Sequence, residues 1–264
     1  MTGCARSSPM GILGKMPAII ILSKPQLGEN IGMVARAMAN GGLDQLRLIQ
    51  PRQTWPNAKA YETSAGANTI LDQARVYESA NDAIADLHFV YGLSARVRSM
   101  QQRQLFVADA VSEGFQKVKK RFNIGFLLGC ERSGLDNDEL SLVHRVVKIP
   151  ADPHFSSLNL SQAVMIIAYE WYCRIQSESM LQQKTDKKEK DKINADHLPA
   201  DMKALDFFVK NLHEHLLNAG FYKSKEMIPV VRRNIQNFFV RTQPMRYEIR
   251  TLHGIVRALL KKHQ

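Results

Sequence analysis

What this chain has little of narrows its function before any motif is read. Only Cys4, Cys130 and Cys173 occur in 264 residues. Three is an odd number, and their spacing is unpaired, so neither a disulfide framework nor a zinc-ligand pattern is present. Long apolar runs are missing too: Ala18 to Leu22 and Ala163 to Ala168 are far too short to span a bilayer. The N-terminus has no apolar stretch leading to a small-residue cleavage site. The expectation is a cytoplasmic protein with no membrane partner and no metal. Acids are in the minority, 25 against 36 Lys and Arg, for a formal net charge of +11. The excess is concentrated, because residues 201–264 hold twelve Lys or Arg against five acids. That balance suits a polyanion such as nucleic acid, although many basic proteins bind nothing anionic.

After an N-terminal tail over 1–16, short apolar runs alternate with helical patterns through residues 17–175. This is the order expected of an α/β domain with a mainly parallel sheet and helices on both faces. The strands fall at Ala18 to Leu22, Leu46 to Ile49, His88 to Gly92, Ile124 to Leu128 and Val146 to Ile149. One helix begins near Asn30 and stops at the Gly41-Gly42 pair, a second covers Val107 to Lys120, and a third runs from Asn159 past Glu170. Residues 176–200, with TDKKEKDK at their centre, carry almost no apolar side chain and read as a flexible, charged linker. Three amphipathic segments follow, Met202 to Ala219, Met227 to Arg241 and Pro244 to Lys262, giving a small basic helical domain over 201–264.

Four segments carry chemistry. In ENIGMVARAMANGG, Glu29 to Gly42, Ile31, Val34, Ala35 and Met38 share an apolar face, while Gly32, Arg36 and Asn40 share the other. Gly32 there either opens room for a ligand beside the guanidinium, or Arg36 is a solvated surface charge. In FLLGCERSGLDNDEL, a buried-type strand enters a turn with Gly129 and Gly134, and Glu131 and Arg132 stand at the strand's C-terminal end. Open α/β sheets place ligands there. The alternative is a plain turn before a helix capped by Asp136 or Asp138, with Cys130 a small packed residue. In HFSSLNLSQAVMIIAYEW, one cap is enough for the helix, yet Ser156, Ser157, Asn159 and Ser161 all cluster around Leu158. The surplus suggests polar groups turned toward a ligand. In YGLSARVR, Ser94, Arg96 and Arg98 end a strand, where the arginines are either a phosphate clamp or loop charges.

Taken together and in this order, NIGMVARAMANGG, FLLGCERSGL and VKIPADPHFSSLNLSQAVMIIAYE resemble the three signature motifs of the SpoU or TrmH class (SPOUT superfamily) of RNA ribose 2'-O-methyltransferases. The TrmJ branch is the nearest in form, through LSARVR and SSLNL. Met33 and Cys130 depart from residues common in the class. The resemblance implies a C-terminal trefoil knot in the α/β domain, a rare exception to unknotted topology. It implies S-adenosylmethionine as cofactor, held by Leu93, Ser94, Ala95, Gly129, Gly134, Ile149, Ser156, Ser157 and Leu158. It also implies a homodimer, and tRNA as partner, methylated at the ribose of nucleotide 32 in the anticodon loop.

The catalytic residues carried over are Arg36, Asn30, Glu131, Ser157 and Asn159. An arginine stays protonated, so Arg36 is read as holding phosphate and stabilising the developing alkoxide. Asn30 and Glu131 would fix its position, while Ser157 and Asn159 shape the pocket. Contacts to RNA are expected from Arg96, Arg98, Arg132, Arg232 and Arg233, with the aromatic residues of the C-terminal helices in their core. Two other readings stand beside this one: a ribosomal RNA methyltransferase of the same class, and an RNA-binding factor without catalysis.

Overall fold

The computed structural model describes residues 18–94, 103–152, 154–182 and 198–261. Seven strands, β1 (Ala18–Ser23), β2 (Gln45–Ile49), β3 (Arg75–Tyr77), β4 (Phe89–Leu93), β5 (Gln104–Phe106), β6 (Ile124–Leu128) and β7 (Arg145–Lys148), form one parallel sheet in the order β3-β2-β1-β6-β4-β7-β5. The helices are α1 (Gly28–Asn40), α2 (Ala58–Thr63), α3 (Asn68–Asp72), α4 (Ala80–Ile84), α5 (Val107–Lys119), α6 (Asn137–Ser141), α7 (Leu160–Gln182), α8 (Met202–Asn218), α9 (Met227–Thr242) and α10 (Arg246–Lys261).

Every residue of the central strands β1 and β6 is buried. Strands covered on both faces read as unbroken apolar runs, which is why these two are plain in the sequence. Their alternation sorts the core into two layers. Ile20 and Leu22 point into a cluster with Val34 and Met38 of α1, Val111 and Phe115 of α5, and Val164 and Trp171 of α7. Ile19 and Ile21 point the other way, toward Ile84 of α4, Leu140 of α6 and Leu205, Phe208, Val240 and Ile249 of the C-terminal helices. The basic helices therefore complete the second face of the sheet. Their attachment begins at the N-terminal end of β4, where Met202 N–H donates to the Leu87 carbonyl at 2.9 Å and Lys203 N–H to that of Ala85 at 3.0 Å.

Several boundaries differ from the sequence reading. Helix α7 continues to Gln182, through residues assigned to the linker, and Lys119 of α5 pairs with Glu178 at 2.6 Å near its end. Strands β3 and β5, of three residues each, and the short helices α2, α3, α4 and α6 add to the elements expected. Among the described residues no helix is long and apolar enough to cross a membrane, and no cluster of three or more His, Cys, Asp or Glu is arranged to hold a metal ion.

Candidate active site

All strands are parallel, so their C-terminal ends share one edge, the edge at which open α/β sheets take ligands. A pocket opens there between the ends of β4, β6 and β7. Leu93 and Ser94 line it from β4, Leu128 through Gly134 from β6, Val147 and Ile149 from β7, and Ser156, Ser157, Leu158, Leu160 and Ala163 from the segment entering α7. Leucine, valine and isoleucine side chains suit a flat apolar group, and the two serine hydroxyls with the loop backbone suit a polar tail.

The loop from β6 folds back on itself. A side chain at Gly129 would put its Cβ 2.1 Å from the Gly134 carbonyl carbon and 2.2 Å from the Leu135 nitrogen. The close approach at Gly129 thus serves the loop's own closure, with Gly134 N–H donating to the Cys130 carbonyl at 2.9 Å. Burial alone would raise the Cys130 thiol, but hydrogen bonding with Ser133 (Sγ to Oγ, 3.0 Å) and with the backbone of 132 and 133 holds it below its ordinary value. Asp136 caps α6 in a reciprocal box with Glu139, whereas Asp138 caps nothing. Lys24, at the end of β1, donates to Asp136 at 3.1 Å, and Ser23 Oγ donates to Glu139. The hydrogen bond to Asp136 raises the Lys24 pKa.

The three motif segments meet in one hydrogen-bond chain. Glu131 accepts from Asn30 Nδ2 at 2.7 Å and from Gln26 N–H at 3.1 Å. Asn30 Oδ1 in turn accepts from Asn159 Nδ2 at 3.4 Å. Asn159 is also the cap of α7: its Oδ1 accepts from Ser161 N–H at 2.9 Å, while Gln162 Oε1 accepts from Asn159 N–H at 3.1 Å. One residue supplies the cap, which leaves Ser156 and Ser157 to line the pocket.

Arg36 is exposed on α1, outside the pocket lining, and makes no hydrogen bond or ion pair to a described residue. One expectation is corrected here, and one open alternative is decided. Asn30 and Glu131 hold each other rather than Arg36, since Asn30 is only 6% exposed and both ends of its amide are committed. Gly32 is buried against α2, where an added Cβ would lie 2.1 Å from both the Ala60 carbonyl oxygen and Thr63 Oγ1, so its missing side chain makes room for a helix and not for a ligand. Arg132 is exposed at the pocket rim, and Arg232 is exposed on α9. Arg233 turns toward α6 and pairs with Asp138 at 3.6 Å. Ala95, Arg96 and Arg98 lie outside the described residues.

A family model described as the SpoU rRNA Methylase family matches residues 17–169. The chain belongs to the SpoU methylase family. This SpoU methylase is 32% identical over 244 residues, 92% of the chain and 97% of the relative, to the tRNA (cytidine/uridine-2'-O-)-methyltransferase TrmJ of Pectobacterium atrosepticum. The crystal structure of TrmJ from Z. mobilis superimposes with a TM-score of 0.78 at 34% identity, covering 92% of this chain and 98% of that one. A more distant structure, the SpoU methyltransferase AviRb from Streptomyces viridochromogenes in complex with AdoMet, shares the fold at 19% identity and a TM-score of 0.50, covering 62% of this chain and 60% of that one. By class the SpoU methylase is an RNA 2'-O-methyltransferase. Sequence reading missed Leu128, Cys130, Ser133, Val147, Leu160 and Ala163 of its pocket. For Leu128, Cys130 and Val147, position at or just past the end of a strand was the available signal, whereas Ser133 lies further along the loop and Leu160 and Ala163 lie in the first turn of α7.

Proposed function

We propose that the chain transfers a methyl group from S-adenosylmethionine to the ribose 2'-hydroxyl of nucleotide 32, a cytidine or uridine, in the anticodon loop of tRNA. The observation that carries this reading is the Glu131–Asn30–Asn159 chain at the pocket, which ties all three motif segments into one site. The end-to-end likeness to a tRNA methyltransferase favours tRNA over ribosomal RNA. S-adenosylmethionine, when bound, supplies a methyl carbon already activated by its sulfonium. Leu93, Ser94, Gly129, Ile149 and Leu158 would hold it through apolar contact and backbone, with Ser156 and Ser157 at its polar groups; Gly134 closes the loop around it. In this reading the domain carries the family's trefoil knot.

Arg36 binds the phosphate beside the target ribose and stabilises negative charge developing on the 2'-oxygen. Its guanidinium remains protonated throughout, so the ribose proton leaves to phosphate or water. Asn30, Glu131 and Asn159 are positioning residues, and Arg132 meets RNA at the rim. Met33 shares the exposed strip of α1 with Arg36, and Met165, Tyr169 and Tyr172 are exposed on α7, which packs against α1. A second copy seated on this apolar face makes a homodimer with Arg36 at the subunit boundary. The test is to incubate the protein with labelled S-adenosylmethionine and, in separate reactions, unmodified tRNA transcripts or unmodified ribosomal RNA, then locate 2'-O-methyl groups by nuclease digestion and mass spectrometry. A single methylated ribose at nucleotide 32 is expected. Label found only in ribosomal RNA would overturn the substrate assignment.

A further inference from the structure

Helix α9 fixes where the C-terminal helices present their outermost turn. Its C-terminal end is at the edge where the strands begin: Ala200 N–H, two residues from the Met202 contact with Leu87, donates to the Pro244 carbonyl at 2.8 Å. Earlier along the helix, Arg233 reaches Asp138 of α6, directly after the loop that lines the pocket. Helix α9 therefore runs antiparallel to the strands. Six of its residues precede Arg233, and at 1.5 Å per residue they carry its start roughly 9 Å further in the same direction. The turn between α8 and α9, residues 219–226, consequently lies at the edge where the pocket opens.

That turn is closed by backbone hydrogen bonds, and it displays an aromatic ring. Helix α8 ends in a Schellman arrangement, with Gly220 at φ +67°, Phe221 N–H donating to the Leu216 carbonyl at 3.0 Å and Gly220 N–H to that of Leu217 at 3.1 Å. The backbone at Phe221 is thereby pinned, yet its side chain is 56% exposed. Tyr222 supports the ring from one side, at 5.4 Å between centroids and 86° between planes. Tyr222 is itself anchored, its hydroxyl 2.7 Å from His213 Nδ1. Lys223, Lys225 and Arg232 stand exposed around the pair, with Glu214 and Glu226 as the nearby acids. The sequence reading placed the aromatic residues of these helices in their core. Phe208 obeys it at 2% exposure, and Phe221 does not. Phe207 is also exposed, but it sits near the start of α8, toward the other edge of the sheet.

We propose that Phe221 is a stacking platform for an unpaired RNA base, with Lys223, Lys225 and Arg232 gripping the flanking phosphates. The proposal deepens the RNA-methyltransferase reading and rests on it. A single-stranded loop is the occupant that fits: every base has a π-face to lay on an exposed ring, and clustered cations match the phosphates between bases. Duplex RNA, whose bases are already stacked, has no use for the ring.

The test compares full-length wild type, Phe221→Ala, Phe221→Trp and Lys223→Gln/Lys225→Gln by fluorescence anisotropy. The probes are an unpaired RNA oligonucleotide of mixed sequence and a blunt RNA duplex of the same strand length, across a salt series. Wild type should prefer the unpaired strand. Phe221→Ala should weaken that complex about tenfold while leaving duplex binding and the salt slope unchanged. Phe221→Trp should retain the preference, and each lost lysine should reduce the salt slope by roughly 0.7. Equal loss on both probes, an unaltered preference in Phe221→Ala, or a changed oligomeric state by sedimentation would overturn the proposal. Methylation of tRNA, measured in parallel on wild type, reports on the substrate assignment independently.

Discussion

The two faces of the sheet are covered by helices of different kinds. On one face lie α1, α5 and α7, each leading directly out of β1, β5 or the segment after β7, and two of them hold links of the hydrogen-bond chain at the pocket, Asn30 on α1 and Asn159 at the cap of α7. On the other, α4 and α6 have only five residues each, and the cover is completed by α8, α9 and α10, whose residues lie some sixty or more positions from the strands they shield. The first face is built from local crossovers. The second depends on docking of a remote basic segment, residues 201–264, which holds twelve Lys or Arg against five acids. In the proposed reading, methyl transfer and polyanion capture are divided between the two layers.

The most severe way to break this comparison is to hollow out each face in turn. Trp171 packs edge-on against Phe115 and Phe126 in the first layer, and Phe208 against Phe239 and His253 in the second. Trp171→Ala and Phe208→Ala should each cost about 3–5 kcal/mol. Denaturant unfolding followed by circular dichroism should show one transition, shifted in both variants. An additional early transition in Phe208→Ala alone would mean that the second face is a separable unit.

Next in size is Arg36→Ala, on the first face. Methyl transfer should fall roughly 10²–10³-fold, as when an electrostatic donor is removed from a transition state. The melting temperature should stay put, because the side chain is exposed and unpaired among the described residues. Near-normal turnover in Arg36→Lys would remove the bidentate part of its assigned role.

A pH titration sharpens the comparison at the sheet itself. His144, between the layers, is fully buried, and burial with nearby Arg145 and Lys117 pushes its pKa down to about 3. Its Nδ1 accepts from Val90 N–H at 3.1 Å, which requires the neutral ring. Above pH 6.5 folded and unfolded chains are both neutral here. Below it only the unfolded chain takes the proton, so stability should be lost as pH falls from 6.5 toward about 3, by up to ~1.4 kcal/mol per unit. His144→Gln should flatten that part of the stability curve; an unchanged curve would assign the acid sensitivity elsewhere.

The smallest effect belongs to the Arg233–Asp138 pair between α9 and α6. With Asp138 81% exposed, a double-mutant cycle should yield less than about 1 kcal/mol. A larger coupling would make this ion pair, rather than the buried leucines and phenylalanines, what docks the second face.

Legibility followed burial. Strand β6 occupies Ile124–Leu128 as read, because a strand covered on both faces announces itself by an apolar run. Strands β3 and β5, three residues each with Arg75 and Gln104 at their heads, sit at the sheet's edges and leave no such signature. The end of α7 was hidden because residues 176–182 are largely polar, and the support comes from Lys119, distant in sequence. At the site, the serine surplus before α7 did point to a pocket, since residue types and caps are local facts. What Asn30 and Gly32 face is not local. Gly32 depends on a helix thirty residues away, and Asn30 on loops more than a hundred.

Asn159 leaves little latitude in the choice of side chain. Its oxygen serves the helix and its nitrogen serves Asn30. Serine or threonine would keep the first bond and lack a second arm. Aspartate would have both arms, but it would turn a carboxylate toward the Asn30 oxygen, close to Glu131, where only a donor is tolerable. Glutamine has the amide and a longer stem, which does not suit a cap. A side chain that begins a helix and wires a site therefore has a vocabulary of one among these alternatives, and α7 cannot be redesigned for stability at its first turn without rewriting the pocket beside it.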